Sequence, residues 1–362
     1  MLANRELREY EPSSTQLTKT RVNIPLRNHD IHLTLEVPDY GVVPLQFPTL
    51  SSSQVLEAHT EFKKFLEPKV TKDDNFYNKC AAEVNVINLF FPNVESPSIR
   101  ICFTAWLVFV ISMDDILEKM PPLDGEIALL DSIQIIRSLP VQERNRVSID
   151  TRIQSLTRAL HGHCTQWLSQ GSAKSFFEAA CEVFQAHINE IRFLQGRIPK
   201  DLSTYMGIRV HTIALDPFFD IIKSEFLPED IRSDSIWDEL QTEVCRAAGL
   251  QNDLVGLERD LENGEPLNAV VVLMASNGGS LQGPGEALFA RYVGQMSAEH
   301  NRSTARAIDL VTRINEKANT ARSKQVVETA QHILLLCETH LKWCTTAKRY
   351  HMKAEETGIG SV

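Results

Sequence analysis

The sequence predicts an all-α protein, one bundle of about ten helices. Three observations carry that prediction. Apolar residues recur with helical period from Ser53 almost to the C-terminus. Proline and glycine punctuate this stretch at Pro68, Pro92, Pro97, Pro121, Gly171, Pro199, Pro228, Gly264 and Pro284, leaving segments of helix length between them. Nothing in it has the β-branched alternation of a sheet, an internal repeat, or a linker long enough to divide it. At 362 residues the chain is long enough to bury a large core.

Taken in order, residues 1–50 stand apart. They are rich in Pro, Thr and Asn, and the alternating pieces Val22–Leu26 and Ile31–Val37 read as an extended, partly ordered arm with at most short strands. The helical domain follows over 51–352, with helices expected near 53–66, 73–91, 98–119, 124–138, 143–168, 173–195, 200–224, 229–263, 283–318 and 321–350. Residues 353–362 read as a flexible tail. The glycine-rich loop 276–286 lacks a GK[ST] ending and follows a helix, so it is read as a helix connection and not a phosphate loop. His161-Gly-His163-Cys164 is read as incidental to an amphipathic helix, not as a soft-metal site.

The formal charge of -10 argues against nucleic acid as a partner. It also requires that any anionic substrate be met by metal ions or a local basic cluster. Seven cysteines, odd in number and without a CxxC pair, read as reduced core thiols. The N-terminal residues have no apolar signal core and the C-terminal residues match no targeting signal, so a cytoplasmic protein is expected.

One helix needs a special explanation. Residues 99–118, IRICFTAWLVFVISMDDILE, are almost wholly apolar and end in Asp114, Asp115 and Glu118. The uncharged run from Ile101 to Met113 is shorter than the roughly 20 residues a bilayer requires, so stable membrane insertion is not expected. Pro121 and Pro122 stop the helix close to Met120. The carboxylates therefore lie in its last two turns, where the helix dipole disfavours each by roughly 0.3–1 kcal/mol. A cation would relieve that.

A second polar cluster lies at Asn252-Asp253-Leu254-Val255-Gly256-Leu257-Glu258-Arg259-Asp260. Asn252, Gly256 and Asp260 are spaced i, i+4, i+8 and fall on one helical stripe. Asp114 and Glu118 make an i, i+4 pair on the earlier helix. Two oxygen-bearing faces set against each other suit magnesium, which shares its sites with waters and substrate phosphates. Two solvated helix faces are the competing account.

Together these residues resemble the class I terpene synthases in their single-domain microbial form. Asp114-Asp115-Ile116-Leu117-Glu118 looks like the DDxx(D/E) motif, and Asn252–Asp260 resembles NDxx(S/T)xxxE. Arg349-Tyr350 looks like the family's RY pair, with Trp343 six residues before it. Arg209 falls where the family carries its diphosphate-sensing arginine, and Thr212 and Ile213 fall at its linker and effector positions. Phe91-Pro92 and Asn268 match weaker features. The resemblance covers about residues 80–352 and departs at Gly256, where a hydroxyl ligand is expected, and at Asp260, which is shorter than Glu.

The resemblance implies a helical bundle around a central active-site cavity. It implies a linear isoprenyl diphosphate as partner, held by three Mg2+ ions on Asp114, Asp115, Glu118, Asn252, Gly256 and Asp260. Arg209, Arg259, Arg349 and Tyr350 would bind the diphosphate, and a water beside Gly256 would replace the missing hydroxyl. Catalytic roles fall to Asp114, Arg209, Arg349 and Tyr350. Phe91, Trp106, Phe109, Thr212, Ile213, Phe218 and Trp343 would line the cavity, the aromatic faces stabilising a carbocation by roughly 2 kcal/mol or more when desolvated. The Pro217-Phe218 pair would mark a helix break aiming carbonyls into the pocket. The product would be a sesquiterpene from farnesyl diphosphate, with a diterpene from geranylgeranyl diphosphate as the runner-up. An isoprenyl diphosphate synthase and a non-catalytic isoprenoid binder are the remaining readings. A homodimer is compatible with all of them.

Overall fold

The computed structural model describes residues 17–26, 29–40, 53–66, 75–137, 152–278, 286–318 and 323–347. A hairpin opens the chain: β1 (Leu17–Leu26) pairs antiparallel with β2 (His29–Pro38), Leu17 opposite Pro38 and Leu26 opposite His29. Fourteen helices follow among the described residues: α1 (Ser53–Leu66), α2 (Phe76–Phe90), α3 (Pro97–Leu117), α4 (Pro122–Ile136), α5 (Arg152–Cys164), α6 (Gln170–Leu194) and α7 (Leu202–Thr212), then α8 (Asp216–Phe226), α9 (Glu229–Arg232), α10 (Ser235–Val255), α11 (Leu257–Asn263), α12 (Ala269–Ser276), α13 (Glu286–Lys317) and α14 (Ser323–Thr346).

Local chemistry sets many of these boundaries. Pro97 and Pro122 open α3 and α4, where a helix has no use for the missing N–H. Ser169, Asp201, Asp234 and Asn268 cap α6, α7, α10 and α12 by accepting from backbone N–H groups two or three residues on. Gly264, at φ +67°, ends α11 in the left-handed conformation that glycine adopts without strain.

The all-α reading holds, and the expected helices differ in three places. The segment 200–224 is two helices and not one, with a break over 213–215 where the Pro217-Phe218 pair is expected to mark one, because Pro217 cannot continue α7. The segment 229–263 is three helices, and its last break falls at Gly256. Residues 269–276 form α12, a helix that the continuous apolar run AVVVLM hid from a periodicity argument. The loop 279–285, most of the expected start of helix 143–168, and the tail lie outside the described residues.

Over 17–40 the expected arm is a docked hairpin with strands of ten residues each, longer than the short strands expected. Ile31, Leu33, Leu35 and Val37 alternate along β2 and face the core, with Leu35 fully buried. Each such side chain gains about 1.5–3 kcal/mol on burial, which explains why a segment that looks loose in sequence is held. Their partners are α13 and α14.

Helix α3 lies deep in the bundle, packed on α1, α2 and α5, while α10 packs on α13 and α14 and α6 on α4, α7 and α8. All seven cysteines are buried thiols, and no described helix is long and apolar enough to cross a membrane.

Candidate active site

The acidic end of α3 forms as its sequence requires. The helix runs to Leu117, Glu118 is its C-cap, and the Glu118 N–H donates to the Asp114 carbonyl at 3.0 Å. Asp114 is half-buried, while Asp115 and Glu118 are exposed. Burial and the carboxylates of Asp114 and Asp115 push the Glu118 carboxyl above its ordinary range, against the pull of Lys119 and Arg259. The influence of Arg259 is informative, because it brings α11 within electrostatic reach of α3.

The α7/α8 break is built by three groups. Ala214 takes φ +61°, a conformation that costs a non-glycine residue roughly 1–2 kcal/mol. Its carbonyl accepts from the Trp106 indole Nε1 at 2.9 Å. One turn earlier, Arg209 donates to Asp253 Oδ1 from Nε at 3.1 Å and from its terminal nitrogen at 2.9 Å. Gly249 makes room for it: a Cβ there would stand 3.1 Å from Arg209 Cγ. Thr212 is buried and donates to Glu190 Oε1 at 3.2 Å, and Ile213 is partly exposed beside it.

The second motif is not one continuous stripe. The helix breaks at Gly256 because the Asp253 carbonyl, which an unbroken helix would give to the Leu257 N–H, accepts instead from Asn268 Nδ2 at 2.7 Å. The same amide donates to Asp260 Oδ2 at 3.0 Å, and its oxygen caps α12. Asn268 is therefore the tie across α10, α11 and α12. The other Asp260 oxygen is held by Arg259 at 2.8 Å. Asp253 is equally engaged, since its Oδ2 accepts from Tyr205 at 2.8 Å and from the Ala269 N–H at 3.0 Å. Asn252 is half-buried on α10, and Gly256 is buried at the break.

Several groups of this region escaped the sequence reading. His187 and Glu190 lie i, i+3 on α6 with ring and carboxylate 3.2 Å apart. Burial opposes charge on both, but each outweighs it for the other: the His187 pKa is raised, helped by Asp114, and that of Glu190 is lowered, helped by Arg209 and Thr212. Glu265 is pushed upward by burial and by the carboxylates of Asp260, Glu118 and Glu190, against a hydrogen bond from Leu267. The only sequence signal for His187 and Glu190 is a charged pair on an otherwise apolar face of α6.

The aromatic residues divide into two sets. Trp106 and Phe109 are 0% exposed and pack on Phe176 and Phe184, respectively Phe184 alone, and on each other at 5.5 Å. Both are fully enclosed by neighbouring side chains. A buried indole needs an acceptor, and Trp106 finds it at the helix break. Hence the Ala214 carbonyl is taken by Trp106 and is not aimed into a pocket. Phe91 and Phe218 are almost fully buried, 5.2 Å apart and joined by Phe103. Trp343 is partly exposed and meets Phe90 edge-on at 5.5 Å. Arg349 and Tyr350 lie outside the described residues.

The donor set around α3 and α11 is oxygen-rich, and burial with neighbouring carboxylates raises the pKa of Glu118 and Glu265 within it. That chemistry fits a hard divalent cation. His161 and His163 stack on different rings, Phe177 and Phe62, each at 4.6 Å, as an incidental pair would. Among the described residues one His/Cys/carboxylate group, His59, Cys80 and Glu83, has its ligand atoms within 4.8 Å of one another, and Lys63 already supplies the cation there.

Comparison with known proteins agrees with this geometry. The chain is 28% identical over 167 residues to the sesquiterpene cyclase hepA of Aspergillus oryzae, a match over 44% of this chain and 42% of that one. The matched part is thus less than half the length of that relative. The fold is similar to 2-methylisoborneol synthase from Streptomyces coelicolor A3(2), solved with Mg2+ and 2-fluoroneryl diphosphate, with TM-score 0.64, 14% identity, and 87% and 98% of the two chains covered. It is also similar to hedycaryol synthase in complex with nerolidol, with TM-score 0.56, 15% identity, and 85% and 99% covered. The model of terpene synthase family 2, C-terminal metal binding, matches residues 105–288, which run from α3 through both acidic motifs. The chain belongs to that terpene synthase family.

Proposed function

We propose that the protein is a magnesium-dependent terpene cyclase that ionises farnesyl diphosphate and closes the carbocation to a sesquiterpene hydrocarbon or alcohol, releasing diphosphate. One observation carries the reading. Two acidic motifs more than a hundred residues apart in sequence lie within electrostatic reach of each other, since Glu118 feels Arg259 and Glu265 feels both Asp260 and Glu118. Asp114, Asp115 and Glu118 on one side, and Asn252 and Asp260 on the other, would hold the cations, and magnesium when bound supplies Lewis-acid charge to the diphosphate oxygens. Three ions, with water standing in for a ligand at Gly256, are part of this proposal.

The chain's own groups do the rest. Arg209 presents its guanidinium from a fixed position, because Asp253 holds it at 2.9 Å and Gly249 leaves it room. Charge-assisted hydrogen bonds from Arg209 to the leaving group stabilise the developing charge. Arg259 would transfer from Asp260 to the diphosphate as cations take over the carboxylate, with Arg349 and Tyr350 as further donors. Phe91, Phe218 and Trp343 offer aromatic faces to the cation, and Thr212 and Ile213 sit at the break that bounds it. Localisation in the cytoplasm remains part of the same reading.

The test is an incubation of purified protein with magnesium and farnesyl or geranylgeranyl diphosphate, followed by gas chromatography–mass spectrometry. A cyclic hydrocarbon or alcohol is expected from the farnesyl substrate. Product from the geranylgeranyl substrate alone would replace it with diterpene synthesis. Longer diphosphates would mean chain elongation, and unchanged substrate at both lengths would overturn the proposal.

A further inference from the structure

The N-terminal hairpin is joined to the second motif by an unbroken line of hydrogen bonds. Asn301 on α13 donates from Nδ2 to the Thr34 carbonyl at 3.2 Å, and its Oδ1 accepts from the Glu36 N–H at 2.9 Å. The same oxygen meets His300 Nδ1 at 2.8 Å, and His300 Nε2 meets Gln251 Nε2 at 3.0 Å. Gln251 Nε2 also donates to the Cys337 carbonyl at 2.9 Å, and Gln251 Oε1 meets His340 Nδ1 at 2.8 Å. Gln251 and His300 are 0% exposed and His340 is 2% exposed.

Donor counting leaves one arrangement. Gln251 spends both N–H bonds on Cys337 and His300, so His300 Nε2 must accept and its proton sits on Nδ1, facing Asn301. The Gln251 oxygen then takes the Nδ1–H of His340. Every atom of the line is satisfied only in this orientation. Gln251 is thereby clamped to α13 and α14 in the residue directly before Asn252. A roll of α10 by about 10° would move a side-chain tip by about 1 Å, and misplacements of that size cost catalysis on the order of 100-fold.

We propose that Gln251, His300 and Asn301 are positioning residues through which the hairpin β1–β2 fixes the aim of Asn252 at the metal site. This rests on the reading of Asn252 as a metal ligand. It assigns the hairpin a part in metal binding, although its strands lie outside both acidic motifs.

The full-length protein is titrated with magnesium at fixed inorganic diphosphate, and the rise in melting temperature is followed for wild type, Asn301→Leu, Gln251→Leu and Thr157→Val. Thr157 is a control of similar burial, donating to Ser132 at 3.0 Å between α4 and α5. Asn301→Leu should raise the half-saturating magnesium concentration about tenfold, as loss of a supporting contact around a metal does, and Gln251→Leu should raise it at least as far. Thr157→Val should lower the melting temperature and leave the magnesium midpoint in place. If Gln251→Leu does not fold, Asn301→Leu at the half-buried outer end decides the matter. A midpoint within about twofold of wild type in Asn301→Leu overturns the proposal while leaving the metal reading intact. A wild type that shows no magnesium-dependent shift overturns the metal reading, and this proposal with it.

Discussion

The end of α3 and the break between α10 and α11 carry similar side chains and use them in opposite ways. On α3, Asp115 and Glu118 are exposed and stand against the helix dipole, and burial together with Asp114 and Asp115 raises the Glu118 pKa. At the break, Asp253 and Asp260 are buried and both are tied into hydrogen bonds, to Arg209, Tyr205 and Ala269 for one and to Arg259 and Asn268 for the other. The first cluster has electrostatic energy to gain from a cation. The second has spent its carboxylates on architecture, and under the proposed function Asp260 would have to exchange Arg259 to become a ligand. One motif is poised, the other is braced.

Substitutions break this comparison by affecting stability and turnover differently in the two regions. The largest contrast is between Asp114→Ala and Asp253→Ala. Both should lower turnover at least about 100-fold, the first through lost Lewis-acid charge and the second through a loosened Arg209. Asp114→Ala should leave the melting temperature unchanged or higher. Asp253→Ala should destabilise by about 3–5 kcal/mol, since it breaks a largely buried ion pair and empties the acceptor of Tyr205 and the Ala269 N–H. Equal stability losses in thermal and denaturant unfolding would erase the distinction.

Next in size is Asn268→Ala, which removes the tie to the Asp253 carbonyl, to Asp260 and to the α12 cap. About 2–4 kcal/mol should be lost, summed over those bonds, and unchanged urea unfolding would contradict the account of the break. Gly249→Ala sharpens the picture at Arg209. Its Cβ would meet Arg209 Cγ at 3.1 Å, so KM for the diphosphate substrate should rise roughly tenfold while stability changes by less than about 1 kcal/mol. Steady-state kinetics with an unaltered KM would show that the space is not needed.

The smallest effect is a control outside both regions. Burial, with His59 adding repulsion, lowers the His163 pKa from 6.5 to about 4. Between those values the unfolded chain binds the extra proton, so stability is full above pH 6.5 and falls as the pH drops toward 4. His163→Leu should flatten that part of the curve of melting temperature against pH. An identical slope in wild type and variant would exclude His163 as its source.

The helical class, the end of α3 and the family were legible in the sequence, because periodicity, proline and carboxylate spacing are all written locally. Sequence reasoning missed the break at Gly256 for a physical reason. The Asp253 carbonyl is taken by an amide fifteen residues away, and no local pattern announces a side chain that competes with a helix bond. For Trp106 the sequence suggested only a use for the aromatic face, and the bond from its N–H to the Ala214 carbonyl joins residues 108 apart in the chain. The hairpin was underestimated because Pro and Thr dilute a strand signal that burial against α13 and α14 restores. Glu190 and His187 were not singled out, because a charged i, i+3 pair on one helix does not announce which groups of other helices it will meet.

The hook from Trp106 to Ala214 has a mechanical consequence. Trp106 and Asp114 are eight residues apart on one helix, a stiff rod of about 12 Å between them. Under the proposed function one end of that rod would meet the leaving group, while the other grips the strained turn at 213–215. Any axial slip of α3 when charge is neutralised at its tip is therefore delivered to the turn in register, without passing through the pocket. In that reading ionisation and the shape of the chamber around the cation would share a single moving part, and a lineage remodelling its products would find this rod harder to vary than the walls around it.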